Sequence, residues 1–231
     1  MPYFYYGFDP YYIYLVLPAI LLCSVASILV KATFAKFSKM QSSLSGAEAA
    51  QRVLEMHGIH DVKIERVSGN LTDHYDPKAN VIRLSSTVYD ARTVAAVGVA
   101  SHEAGHAVQY AKSYLPIKLR AALYPVCNLG SQLSLPLIII GLALNFLELA
   151  TVGIIFFAIA LAFQLVTLPV EFNASRRAIT AIRENHILLD DSQIKGARKV
   201  LTAAAFTYIT SFLLSLMQLV RFLLLTNRRR R

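Results

Sequence analysis

Residues 149–170 read LATVGIIFFAIALAFQLVTLPV, 22 positions without a single Asp, Glu, Lys or Arg. A helix needs about 20 predominantly apolar residues to cross the hydrocarbon core of a bilayer. Further charge-free windows lie at residues 10–30, 121–147 and 200–220, with 21, 27 and 21 residues. The 231-residue chain as a whole is 55% hydrophobic and only 16% charged, with mean hydropathy +0.48. Soluble domains carry about 25% charged residues. These figures exclude a disordered chain and argue against an ordinary water-soluble globule. They predict a mainly α, multi-pass integral membrane protein.

The first window could be mistaken for a signal peptide, but Met1 to Pro10 holds no basic residue and the apolar run is longer than a signal core. A retained transmembrane helix is expected, with Tyr3, Tyr5, Tyr6, Tyr11, Tyr12 and Tyr14 as an interfacial aromatic belt. Lys31, Lys36 and Lys39 follow closely, which under the positive-inside rule puts residue 31 onward in the cytoplasm. The windows at 121–147 and 149–170 are joined around Asn145 and Glu148 and read as a helical hairpin. The hairpin returns Glu171 to the side from which the chain left. The expected segments are therefore a transmembrane helix at 1–30, a soluble-like domain at 31–120, a transmembrane hairpin at 121–170, a cytoplasmic helical segment at 171–199, and a transmembrane or re-entrant helix at 200–231. The closing Arg228–Arg231 run reads as an anchor for anionic lipid headgroups. The net charge of +9 comes with no aromatic–basic recognition motif, so nucleic acid is not an expected partner. Cys23 and Cys127 fall inside apolar windows and read as small hydrophobes.

Within 31–120, Ser45-Gly46-Ala47-Glu48 is a capping box that opens a helix ending at Gly58. Val62–Val67 and Val81–Leu84 read as strands, with Val62, Ile64, Val81, Ile82 and Leu84 the apolar positions, and their long polar link predicts a β-hairpin. Its Val81–Leu84 strand is expected at an edge, where a substrate strand could add. Another helix is expected to start near Asp90.

That helix carries His102-Glu103-Ala104-Gly105-His106. On a helix, His102 and His106 at i and i+4 point from one face and can reach one metal ion. Glu103, about 100° round, can hold and deprotonate a metal-bound water. Zinc lowers the pKa of such a water from 15.7 to about 7. A catalytic zinc takes three protein ligands. Downstream candidates for the third are Glu148, Glu171, Glu184, His186, Asp190 and Asp191. Glu148 falls on the wrong side of the hairpin. Glu171 ends the third window, where a lone carboxylate is expensive without a partner, and Ala174, Ser175 and Ala178 form a small-residue face for close helix packing. Asn173 or Ser175 could support the metal ligands by hydrogen bonds. His74, in a loop with Asp73 and Asp76, and His186 are candidates for polarising the scissile carbonyl. His57 and His60 read as capping or solvated groups.

The HEAGH helix, the Leu71-Thr72-Asp73-His74-Tyr75-Asp76-Pro77 loop, Leu84-Ser85 and Glu171-Phe172-Asn173-Ala174-Ser175-Arg176 together resemble the YugP-type family of bacterial membrane zinc metallopeptidases. The similarity spans nearly the whole chain. It implies a zinc-dependent endopeptidase with one catalytic Zn2+ and a gluzincin-like domain, in which His102, His106 and Glu171 hold the metal and Glu103 is the general base. HtpX-type membrane proteases have an Asp where this chain has Ser175, so the partner of a metal ligand is expected to differ here.

The expected function is hydrolysis of peptide bonds in protein or peptide substrates, membrane-embedded or juxtamembrane, at a cytoplasmic-side site. A non-catalytic scaffold with structural zinc is the rival, and the intact Glu103 speaks against it, because a structural site needs no base. A transporter would call for charges or helix breaks at mid-membrane, of which Pro18 and Pro136 are the few signs.

Overall fold

The computed structural model describes residues 9–230. The belt residues Tyr3, Tyr5 and Tyr6, and Arg231 of the basic tail, lie outside that range. Helix α1 (Leu17–Phe37) follows a short π-helical turn at Tyr12–Val16. Then come α2 (Gly46–Met56), strands β1 (Lys63–Val67), β2 (His74–Asp76) and β3 (Val81–Ser85), and α3 (Val94–Ala111). Three long helices close the chain: α4 (Leu115–Ala143), α5 (Leu147–Glu184) and α6 (Asp191–Arg230). Four helical stretches are long and apolar enough to cross a membrane, at Tyr12–Phe37, Leu115–Ala143, Leu147–Glu184 and Asp191–Arg229.

The chain divides into two compact units. The first comprises residues up to Ala26, Arg120–Val166 and Thr207 onward. Small residues let its helices approach closely: a Cβ on Gly141 would sit 2.4 Å from the Ala150 nitrogen, and one on Gly153 would sit 2.7 Å from the Ser134 carbonyl oxygen. Close backbone approach through small residues is how helices associate where lipid removes the hydrophobic drive. Arg221 of α6 is paired with Asp9 and lies over the Tyr12 ring. Helix α6 is unbroken from Asp191 to Arg230. The reason is local, since no Pro or Gly interrupts residues 197–230.

The second unit comprises Ser27–Leu119 and Thr167–Phe206. Its core joins Val53 and Leu54 of α2, Ile82 and Leu84 of β3, Val97 and Val108 of α3, Ile182 of α5 and Val200 of α6. Each such side chain, fully buried, contributes about 1.5–3 kcal/mol. The capping box at α2 is formed as expected: Glu48 N donates to Ser45 Oγ, and Ser45 N donates to Glu48 Oε2 at 2.7 Å. His57 caps its C-terminal end, its Nδ1 2.9 Å from the Val53 oxygen. Helix α3 starts later than Asp90, because Thr93 supplies the cap to the Ala96 amide while Asp90 pairs with Arg66 at 2.8 Å.

The sheet departs from the expected hairpin. Its order is β1-β3-β2, with β1 parallel to β3 (Lys63 opposite Val81, Val67 opposite Ser85) and β2 antiparallel to it (Tyr75 opposite Ile82). A third strand hides in the polar link, and it is β2 that pairs antiparallel with β3. Strand β3 is central and not an edge, which excludes substrate addition along Val81–Leu84. Val81, Ile82, Leu84 and Ser85 are all buried, as a strand with neighbours on both sides requires.

Candidate metal centre

Three donors from two helices of the second unit converge. His102 and His106 stand one turn apart on α3, with ring centroids 4.7 Å apart and planes at 86°. Glu171 reaches them from α5: its Oε2 lies 3.3 Å from His102 Nε2 and 3.6 Å from His106 Nε2. All three candidate ligand atoms lie within 4.8 Å of one another. Tetrahedral zinc with bonds of about 2.0–2.1 Å places neighbouring ligand atoms about 3.3 Å apart. The donor set is two imidazoles and one carboxylate, and its spacing fits one zinc ion. Glu171 is only 2% exposed, and a carboxylate so deep in protein is stable only beside compensating positive charge or donors.

The two helices meet closely because both present small residues. A Cβ on Gly105 would come within 2.8 Å of the Ala174 carbonyl oxygen. Ala174 and Ala178 are fully buried, so the small-residue face of α5 packs as its sequence suggested. Each imidazole is also held on its far side. His102 Nδ1 is 3.1 Å from Ser175 Oγ, and His106 Nδ1 is 3.0 Å from Gln109 Oε1. Hydrogen bonds at Nδ1 leave Nε2 of both rings facing Glu171.

Glu103 is 8% exposed and is not among the converging donors. Its Oε2 accepts the Tyr75 backbone N–H at 3.0 Å, so β2 fixes the orientation of the carboxylate. Strand β2 is itself fastened to β3. Asp73 accepts from Ser85 N at 2.7 Å and from Ser85 Oγ at 3.1 Å. Asp76 pairs with Arg83 at 2.7 Å, and that guanidinium holds the Asp76 carboxyl down at about 2. Burial pushes the Tyr75 phenol up to about 12, and as a neutral hydroxyl it donates to Asn80 Oδ1 at 2.7 Å.

The other sequence candidates fall elsewhere. His74 is exposed on β2, with Nδ1 2.8 Å from the Thr72 oxygen. His186 is exposed in the turn that ends α5, in the left-handed region at φ +50°. Neither is among the converging donors. Gln109 escaped the sequence reading, although its i+3 spacing from His106 was the available signal.

A HExxH helix faced by a buried carboxylate, on a chain with four helices long and apolar enough to cross a membrane, defines a candidate metal centre. The chain belongs to the family described as "Putative neutral zinc metallopeptidase", whose family model matches residues 12–227. It is similar to the "Putative membrane protease YugP" of Bacillus subtilis (strain 168), with 44% identity over 216 residues, 93% of this chain and 96% of that one. No solved structure matches the chain.

Proposed function

We propose that the protein is a membrane-embedded zinc endopeptidase in which His102, His106 and Glu171 hold one zinc ion and Glu103 is the general base. The observation that carries this reading is the separation of duties among the carboxylates. Glu171 Oε2 lies at ligand spacing from both imidazoles, while Glu103 stands next in sequence to His102 yet outside the donor group. Zinc bound there would supply Lewis acidity and a water acidified to a pKa of about 7. Glu103 would take the proton of that water and later deliver it to the leaving amine. The Tyr75 amide, holding Glu103 Oε2, leaves Oε1 for the proton. His74 would donate from Nε2 to the developing oxyanion only when doubly protonated, because its Nδ1 already faces the Thr72 carbonyl. His186 is the weaker candidate for that role, being set in an exposed turn.

The site would face the cytoplasm. Lys31, Lys36 and Lys39 follow the first window, and Arg176, Arg177 and Arg183 follow the third, which supports that orientation under the positive-inside rule. Peptide segments of membrane proteins near the bilayer surface are the substrates such a tethered site would reach. Metal analysis and casein cleavage by wild type and Glu103→Gln test the reading. The variant should keep zinc and lose activity by about 10²-fold or more. Unchanged proteolysis at unchanged metal content would refute the assignment of the base.

A further inference from the structure

Gln109 is fully buried behind His106. Its Nε2 donates to two acceptors on α5, the Val170 carbonyl oxygen at 2.8 Å and Asn173 Oδ1 at 3.0 Å. The same Asn173 Oδ1 accepts from Arg177 Nε at 2.8 Å. The direction of this chain is fixed from both ends. A guanidinium only donates, so the Asn173 atom facing Arg177 is the oxygen. A backbone carbonyl only accepts, so the Gln109 atom facing Val170 is the NH2 group. The Gln109 oxygen must then face His106, 3.0 Å away. An amide oxygen cannot donate, so His106 Nδ1 carries the hydrogen and Nε2 keeps its lone pair. That lone pair faces Glu171 Oε2 at 3.6 Å, and two electron-pair donors set face to face are what a metal ion requires. His102 differs, because the Ser175 hydroxyl beside it can donate or accept and dictates no tautomer.

We propose that Gln109, braced by Asn173 and Arg177, is a positioning residue that locks His106 in its metal-binding tautomer. The proposal rests on the reading of His106 as a zinc ligand. Without the amide oxygen, the ring is free to carry its proton on Nε2, which closes that coordination position. Asn173 and Arg177 act through Gln109 and do not touch the metal.

The test uses the full-length protein in detergent, with zinc affinity read by chelator competition. Nitrogen NMR of the zinc-free, histidine-labelled protein reads the ring tautomers at a pH where they are neutral. Gln109→Met keeps the side-chain volume and removes both hydrogen-bonding functions. It should weaken zinc binding by about 10–100-fold and populate the Nε2–H form of His106, with thermal unfolding reporting that the fold is intact. Asn173→Asp still accepts from both Gln109 and Arg177, so it should keep the Nδ1–H tautomer of His106 and lose less zinc affinity than Gln109→Met. Wild-type affinity with an unchanged tautomer in Gln109→Met would overturn the proposal. So would a loss in Asn173→Asp as large as that in Gln109→Met, since packing and not hydrogen-bond direction would then be at work. His106→Ala separates the two layers of the argument. It should lose zinc, and if it retained the metal, the ligand assignment would fall and the proposal with it.

Discussion

Gly105→Ala probes the closest approach in the candidate metal centre. The added Cβ would meet the Ala174 carbonyl oxygen at 2.8 Å and its carbonyl carbon and Cα at 3.4 Å. Carbon contacts are comfortable at about 3.5–4.0 Å, so α5 would have to withdraw from α3 by roughly 0.5 Å or more. The obstacle is backbone, which cannot swing aside as a flexible side chain does. Glu171 stands one turn before Ala174 on the same helix, so the withdrawal carries its carboxylate away from His102 and His106. Metal–ligand distances tolerate only about ±0.2 Å. The expected result is a loss of about 1–3 kcal/mol in stability from overpacking, together with zinc binding weakened about tenfold or more. Gly98→Ala is the control on the same helix. Its Cβ would rest at ordinary contact, 3.4 Å from the Ala197 Cβ, and replacing a mid-helix glycine can gain about 1 kcal/mol in helix propensity. Thermal unfolding with and without zinc, and chelator competition, compare the two variants. If Gly105→Ala bound zinc as tightly as wild type and melted no lower than Gly98→Ala, the close packing of α3 on α5 would have no part in setting the site.

Glu171→Ala should lose zinc and proteolysis together, because two imidazoles alone leave the metal short of its third protein ligand; stoichiometric zinc in that variant would refute the assignment. Ser175→Ala should weaken zinc binding by less than Glu171→Ala, which chelator competition reads directly. A cysteine at Ser68, in a protein cleared of Cys23 and Cys127, should resist an impermeant thiol reagent in intact cells, and ready labelling would reverse the proposed orientation. Asp76 is held well below its ordinary carboxylate value of 3.8, at about 2, by Arg83. Its support of β2 is therefore complete above about pH 4 and fades as pH falls through 2. The gap in unfolding midpoint between wild type and Asp76→Asn should be constant above that point and close below it, and a gap unchanged down to pH 2 would contradict this origin.

What could be read from the sequence follows from how local each signal is. The long apolar windows, the Ser45–Glu48 capping box and the i, i+4 histidines are determined by neighbours a few residues apart, and each has its expected structural counterpart. The meeting of Glu171 with His102 and His106 spans more than 60 residues, yet it was foreseeable because a helical hairpin must return its chain to the side it left. The contact itself depends on a glycine and an alanine, Gly105 and Ala174, whose use is visible only as small size. Gln109 is not legible in the sequence, because an i+3 glutamine on a helix reads as ordinary composition without Val170, Asn173 and Arg177 around it. The onset of α3 lies a few residues beyond Asp90 for a similar reason. Asp90 and Thr93 both cap helices well, and only the partner of Asp90, Arg66 at 2.8 Å, decides between them.

The sheet shows where local signals mislead. Val62–Val67 and Val81–Leu84 each look like strands, and a polar link between two strands suggests a turn and an antiparallel pair. A parallel pair needs a connection that returns the chain to its starting end, and here His74–Asp76 makes the return within the sheet as a strand antiparallel to β3. The acidic residues that read as turn chemistry are what hold that strand in place, Asp73 through the Ser85 amide and hydroxyl and Asp76 through Arg83. Once β2 is fastened along β3, the Tyr75 amide is directed away from the sheet and onto Glu103 Oε2. The orientation of the proposed base thus depends on a three-residue strand nearly thirty positions earlier. The same arrangement makes β2, and not β3, the outer strand beside Glu103.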